Sequence, residues 1–213
     1  PATYAAAAAI PFEALPPEKQ EEIEATRMFS FALKRSAAVH VSENRLTEGE
    51  RLYRRALALD EALVTRYPDN AAYRYDMTFS LSDLAFVARR QERPSDAEAL
   101  YLRALEIRQQ ALDADPRNVR ALTGVSNLHN YLGTVYRDLR RTREELVHRR
   151  ANLELRKRLI SLGEPTAGTA EPLVWASAYL AAALLDAADA ARSAADRTAA
   201  ITEARQVLAE ANR

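Results

Sequence analysis

Two phrases of nearly the same wording stand 48 residues apart: "LYRRALALDEALVTRYPDN" from Leu52 and "LYLRALEIRQQALDADPRN" from Leu100. A chain that repeats itself at this period is built from one supersecondary unit used several times, and a unit of two helices cannot bury its apolar face without a neighbour stacked on it. In both copies the apolar residues recur at helical spacing: Leu52, Ala56, Leu59 and Leu63, then Leu100, Ala104, Ile107 and Ala111. No stretch alternates as a strand would. Five glycines in 213 residues, with long Ala/Leu/Glu/Arg segments, agree with an all-α chain.

The punctuation repeats with the text. Pro68, Pro116 and Pro165 fall 48 and 49 apart, each closing one helix before the next begins. Thr47 with Glu50, Ser95 with Glu98 and Thr142 with Glu145 fit capping boxes at three helix starts. A third copy of the phrase survives as "LELRKRLISLGEP" from Leu153. The other half of the unit carries Leu84-Ala85, Leu132-Gly133 and Leu180-Ala181, a large residue and then a small one, as closely crossing helices require. The expected helices are 18–42, 48–66, 71–90, 96–114, 119–139, 143–161, 172–191 and 195–211. They make four antiparallel pairs in units of about 18–66, 71–114, 119–161 and 172–211. Residues 1–17, with four prolines around an alanine run, read as a linker ahead of this 18–213 domain.

The small-large pattern resembles the tetratricopeptide repeat. Leu132, Gly133 and Tyr136 match the signature of its first helix, and Ala97, Tyr101 and Ala104, like Gly49, Tyr53 and Ala56, match that of its second. The usual period of that family is 34. Two extra heptads, one per helix, lengthen both while returning the apolar stripe to the same face. In the third unit Arg149 and Asn152 stand where Tyr101 and Ala104 stand in the second, a departure from the packing code. The resemblance implies a right-handed α-solenoid and a non-catalytic protein-interaction scaffold, of the kind appended to bacterial signalling proteins. It also implies a peptide groove along the first helices of the units, lined here by Phe79, Phe86, Arg89 and Arg90, then Asn127, Asn130, Thr134 and Arg137, then Trp175. Aromatics for burial, amides for main-chain bonds and arginines for carboxylates suit an extended peptide. The competing expectation for Phe79, Phe86 and Trp175 is the core.

Composition limits the alternatives. Thirty basic residues balance thirty acidic ones, so no global field draws the chain to nucleic acid or an anionic surface, and the absence of cysteine removes disulfide, thiol and zinc-finger chemistry. Three lysines against 27 arginines read as a GC-rich bacterial gene. No signal peptide is visible, which gives a cytoplasmic expectation. No uninterrupted apolar run approaches the ~20 residues of a membrane helix. His40, His129 and His148 lack metal-ligand spacing, and Gly163 with Gly168 lacks the lysine of a phosphate loop, so neither enzyme nor cofactor is expected. Between Arg137 and Arg158 nine cations face four carboxylates, which leaves nucleic-acid binding as a minor alternative. Self-assembly through the Ala-rich last unit is the main alternative to peptide binding.

Overall fold

The computed structural model describes residues 16–163 and 167–211. Among these residues eight helices run in order: α1 (Pro17–Ser42), α2 (Leu46–Arg66), α3 (Ala71–Arg90), α4 (Pro94–Ala114), α5 (Val119–Asp138), α6 (Thr142–Ser161), α7 (Ala167–Ala190) and α8 (Ala194–Ala211). No strand occurs among the described residues. Connections of three or four residues join most neighbours, which forces antiparallel packing of consecutive helices, the helical-repeat arrangement of an α-solenoid. Most of the linker expected over 1–17 lies outside the described residues; of its prolines, Pro16 caps α1 and Pro17 opens it.

Two kinds of turn alternate, and each repeats at the 48-residue period. From α2 to α3 and from α4 to α5 the chain turns through Pro68-Asp69-Asn70 and Pro116-Arg117-Asn118. The two asparagines are the true caps: Asn70 Oδ1 accepts from the amides of Ala72 (3.0 Å) and Tyr73 (3.3 Å), and Asn118 Oδ1 from Ala121 (2.9 Å). From α1 to α2, α3 to α4 and α5 to α6 the chain passes through a left-handed residue, Asn44 (φ 62°), Glu92 (φ 59°) or Arg140 (φ 59°). The next amide then donates five residues back, Arg45 to His40 O (2.8 Å), Arg93 to Ala88 O (2.9 Å) and Arg141 to Tyr136 O (2.9 Å). This tight reversal corrects the expected capping boxes. The helices begin at Leu46, Pro94 and Thr142, so Thr47, Ser95 and Thr142 already lie inside them, and Arg45 and Arg141 precede α2 and α6 with no side-chain cap. Glu50 and Glu145 face arginines instead.

The chain divides into two compact units, residues up to Ile107 and residues from Arg108, with the boundary inside α4. In the first, Leu33, Ala37 and Val41 of α1 meet Leu52, Tyr53 and Ala56 of α2 and Leu84 and Val87 of α3. Gly49 permits the close α1–α2 crossing: a Cβ there would sit 2.4 Å from Val41 Cγ2 and 3.3 Å from Ala37 O. In the second, Leu153 of α6 packs with Ala176, Leu180, Ala181 and Leu184 of α7 and Ala204 and Val207 of α8. Leu132 is fully buried, and Gly133 beside it makes room for an arginine rather than a helix, a Cβ there falling 2.9 Å from Arg149 Nε. α7 begins five residues earlier than expected and carries Pro172 within it. Its stretch Ala170–Ala190 is, by length and composition, long and apolar enough to cross a membrane, which corrects the search for uninterrupted runs: scattered carboxylates broke the run without making it polar. One face of that stretch is core in the second unit.

Candidate functional site

In the first unit α1 and α3 stand on either side of α2 and leave a cleft of about 630 Å³ between them. Each wall is a single helical stripe: Arg27 and Met28, Phe31, Lys34 and Arg35, then Ala38 on α1, and Asp76, Phe79 and Asp83 on α3. Tyr53 and Asp60 of α2 form the floor. The rim is apolar and open: Met28 is 63% exposed, Phe31 56% and Phe79 42%. Tyr75 holds the Phe79 ring edge to face, with centroids 5.3 Å apart.

The floor is charged and cross-linked. Asp60, only 2% exposed, sits one turn beyond Ala56 on the buried stripe of α2. Its carboxylate accepts from Ser30 Oγ of α1 (2.6 Å), Ser80 Oγ of α3 (2.6 Å) and Lys34 Nζ of α1 (2.8 Å). Lys34 also donates to Asp76 O (3.2 Å), while Arg27 Nε donates to Asp76 Oδ2 (2.7 Å). One carboxylate thus ties three helices together beneath the cleft. Asp83 is different: among the described residues no ion pair or hydrogen bond engages its carboxylate. Burial pushes it up to about 6 despite the Lys34 ammonium nearby. The same burial, with Asp83 close by, raises the Tyr53 phenol, which stays protonated.

The second unit has a smaller cleft of about 300 Å³ lined by Asn130, Asn152, Arg156, Glu171, Pro172, Trp175, Ala176 and Tyr179. Arg149, 2% exposed, fills the position that Tyr53 and Tyr101 occupy in earlier units. It donates to Asn130 Oδ1 (2.7 Å), Asn130 O (3.2 Å) and Thr134 Oγ1 (3.2 Å), lies 3.5 Å from Glu145 and stacks over Tyr179 at 5.0 Å. Burial raises the Glu145 carboxyl and lowers Arg149. Asn152 donates to Ser126 O (2.7 Å) and Oγ (2.9 Å). The departure at Arg149 and Asn152 is therefore a polar refilling of the same slots.

The structure sorts the nine groove residues. Phe79, Phe86 and Trp175 are exposed, which rejects the core expectation for them. Phe79 is in the large cleft, Trp175 and Asn130 in the small one. Phe86 lies under Arg90, which donates to Val41 O (3.2 Å) and Asn44 Oδ1 (2.9 Å) and so fastens α3 to the left-handed turn. Arg90 is a structural clasp. Arg89 is half-buried on the same helix end. Asn127 accepts from Arg156, and Asn130 and Thr134 from Arg149, so these oxygens serve the fold. Arg137 lines a separate cleft with Arg140, Glu145, Asp186 and Asp189.

The basic stretch of α6 is likewise engaged internally: Arg150 with Glu203 (2.8 Å), Lys157 with Glu154 (3.3 Å) and Glu210 (3.1 Å), Arg141 with Glu144 (2.8 Å), and Arg158 with Pro116 O. The residues that sequence reasoning missed are the cleft residues of α1 and α2, with Asp76 and Asp83 of α3. Taken back by the 48-residue period, Phe79 and Phe86 correspond to Phe31 and Ala38, and two periods back Asn130 corresponds to Lys34, all three lining the large cleft.

No family model matches the chain, and no curated protein does. Among solved structures, the crystal structure of BtubC (BKLC) from P. vanneervenii superposes with a TM-score of 0.63 at 20% identity, over 88% of this chain and 66% of that one. The shared feature is the helical-repeat fold. This chain spans just under two thirds of BtubC. The de novo designed helical repeat protein DHR64 (TM-score 0.45, 17% identity, 92% of this chain, 98% of that one) and the DHF79 filament protein (TM-score 0.45, 16% identity, 90% and 99%) also match.

Proposed function

We propose that this chain is a non-catalytic protein-interaction module of the tetratricopeptide type, lengthened to a 48-residue unit, that holds an extended peptide segment in the cleft between α1 and α3. The observation that carries this reading is the cleft itself: three large apolar side chains, Met28, Phe31 and Phe79, stand open to solvent around a rigid floor. Exposed large apolar groups rimmed by polar ones are the usual mark of an interaction site. The acidic and basic groups beneath them are fixed mainly by one another, which favours binding over chemistry. The residues that bear on a ligand are then Phe31, Phe79 and Met28; in the second unit the exposed Trp175 is a separate candidate. A cytoplasmic place within a larger bacterial signalling protein is part of the proposal; the arginine-rich composition supports the bacterial source and the repeat resemblance the signalling context.

The test is retention of end-blocked peptides from a random nonapeptide library by the purified chain. Phe31→Ala with Phe79→Ala should abolish retention while the far-UV spectrum stays helical; retention undiminished in that variant would reject the cleft as the site. A second reading, self-association, is favoured by α7, where Val174, Trp175 and Leu185 are each about half exposed. Sedimentation velocity across a concentration series, with Trp175→Glu as the control, decides it: a mass that never changes removes self-association.

A further inference from the structure

The large cleft has an internal charge pattern that says what its ligand carries. Its carboxylates are accounted for one by one. Asp60 takes Lys34, Asp76 takes Arg27, and Glu24 lies 3.8 Å from Arg27. The two inner cations of the lining, Arg27 and Lys34, are thereby committed, and Arg35 is exposed on the α1 lip. That leaves the Asp83 carboxylate, half-buried and facing the same space, with no hydrogen bond or ion pair among the described residues.

An unpaired carboxylate held in low dielectric is a demand for a cation. Burial pushes Asp83 up to about 6, and an incoming positive charge would bring it back down. The surroundings fit one. Phe79 lies one helical turn before Asp83 on the same face of α3, and its ring is fixed by Tyr75. Phe31 stands on the opposite wall. Aromatic faces beside a carboxylate accept an ammonium or guanidinium by cation–π attraction and a charge-assisted hydrogen bond together. The methylenes of a lysine or arginine stem suit the apolar rim, with the charge below it.

Resting on the peptide-binding reading, we propose that the cleft recognises a lysine or arginine side chain within an otherwise apolar partner segment, with Asp83 as its counter-ion and Phe31 and Phe79 as its walls. Asp83 is then the specificity-determining residue of the site, and the rim aromatics supply the area.

The test uses four matched sets of fluorescein-labelled, end-blocked nonapeptides, randomised over apolar residues and fixed at the centre as Lys, Arg, citrulline or norleucine. Anisotropy is read with the whole chain. The Lys and Arg sets should bind roughly tenfold or more tightly than the two neutral sets, the worth of one charge-assisted bond. Asp83→Asn should bring them down to the citrulline level, and Asp83→Glu should restore part of the difference. Asp83→Asn removes an unpaired charge, so its far-UV spectrum and melting temperature should match or exceed wild type. Equal binding of the norleucine and lysine sets, or unchanged lysine binding by Asp83→Asn, overturns the proposal. If all four sets bind equally and Phe31→Ala with Phe79→Ala abolishes them all, the groove stands and the cation does not. If no set binds, both readings fall.

Discussion

Asp60 and Lys34 offer a strong test of how the first unit is held together. Replacing Lys34 by Met strands the Asp60 carboxylate, whose side chain is 3% exposed, with only the Ser30 and Ser80 hydroxyls as donors. Removing one partner of a buried pair costs about 3–5 kcal/mol. Asp60→Leu is milder on the charge side, because Lys34 keeps Asp76 O and its side chain is 13% exposed, enough to reach water. It also deprives two serines of an acceptor at about 1 kcal/mol each, so a total of about 2–4 kcal/mol is expected. The double variant removes both charges and replaces them with apolar volume, which is often near neutral for buried pairs. It should therefore lose less than Lys34→Met alone. The double-mutant cycle, measured by urea unfolding followed by circular dichroism, should give a coupling energy of at least about 2 kcal/mol. Additive losses, or a Lys34→Met variant within about 1 kcal/mol of wild type, would refute the claim that this pair ties α1, α2 and α3 together.

The other predictions concern parts of the chain where structure and sequence differ or where titration intervenes. Asn70→Ala and Asn118→Ala should each cost about 1 kcal/mol in urea unfolding, whereas Thr47→Ala, a side chain inside α2 rather than its cap, should stay within about 0.5 kcal/mol. Gly49→Ala should destabilise by about 1–3 kcal/mol despite the better helix propensity of alanine, because the new methyl would sit 2.4 Å from Val41 Cγ2; a gain in midpoint would reject the close crossing. Burial, aided by the His148 ring nitrogen 2.8 Å away, holds His129 down at about 4, below its ordinary 6.5. The folded state keeps it neutral while the unfolded chain takes up the proton first. Its contribution is thus present above pH 6.5 and lost as pH falls toward 4, about 2 kcal/mol between pH 7 and 5, and His129→Gln should flatten that fall. Asp83 has the opposite sign: raised to about 6, it lends stability at low pH that is lost as pH rises through 6. Asp83→Asn should stabilise by about 2 kcal/mol at pH 7, with the advantage gone below pH 4.

The repeat made the fold legible because packing in such a unit depends on size and spacing, and both are written in the letters. Leu84, Leu132 and Leu180 are buried as their period demands, and the helices fall within a few residues of the expected ends. The turns were less legible. A left-handed residue at 44, 92 and 140 is spelled Asn, Glu and Arg, three side chains with no common chemistry, so the geometry is enforced by the two helices it joins and leaves little local trace. Capping boxes were read into the same stretches because their letters fit, one or two residues too late.

The site was harder still, for a physical reason that the 48-residue register exposes. Asp60, Arg108 and Arg156 occupy the same position on three successive second helices, and a sequence shows them as polar interruptions on an apolar stripe. Whether such a residue is a solvated edge or a buried hub depends on what the flanking first helices bring to it. Ser30, Thr78 and Ser126 form the matching register on the first helices, all three buried, and two of them reach the next helix: Ser30 bonds Asp60, and Ser126 accepts from Asn152. A charge that recurs at the repeat period, buried at Asp60 and Arg108 and half-buried at Arg156, beside a buried hydroxyl that recurs at the same period, is therefore a signal of polar packing inside the units, present in the letters once the two registers are set side by side. Arg108 obeys it in its own way, with Gly124 leaving space that a Cβ would fill 2.3 Å from its Nη1. In the first unit that floor holds a carboxylate, Asp60, with its own lysine, Lys34, and a second carboxylate, Asp83, lines the same cleft. The repeat keeps the packing positions and varies the polar floor, so what distinguishes one unit's surface from another's resides in the residues that the repeat does not keep in kind.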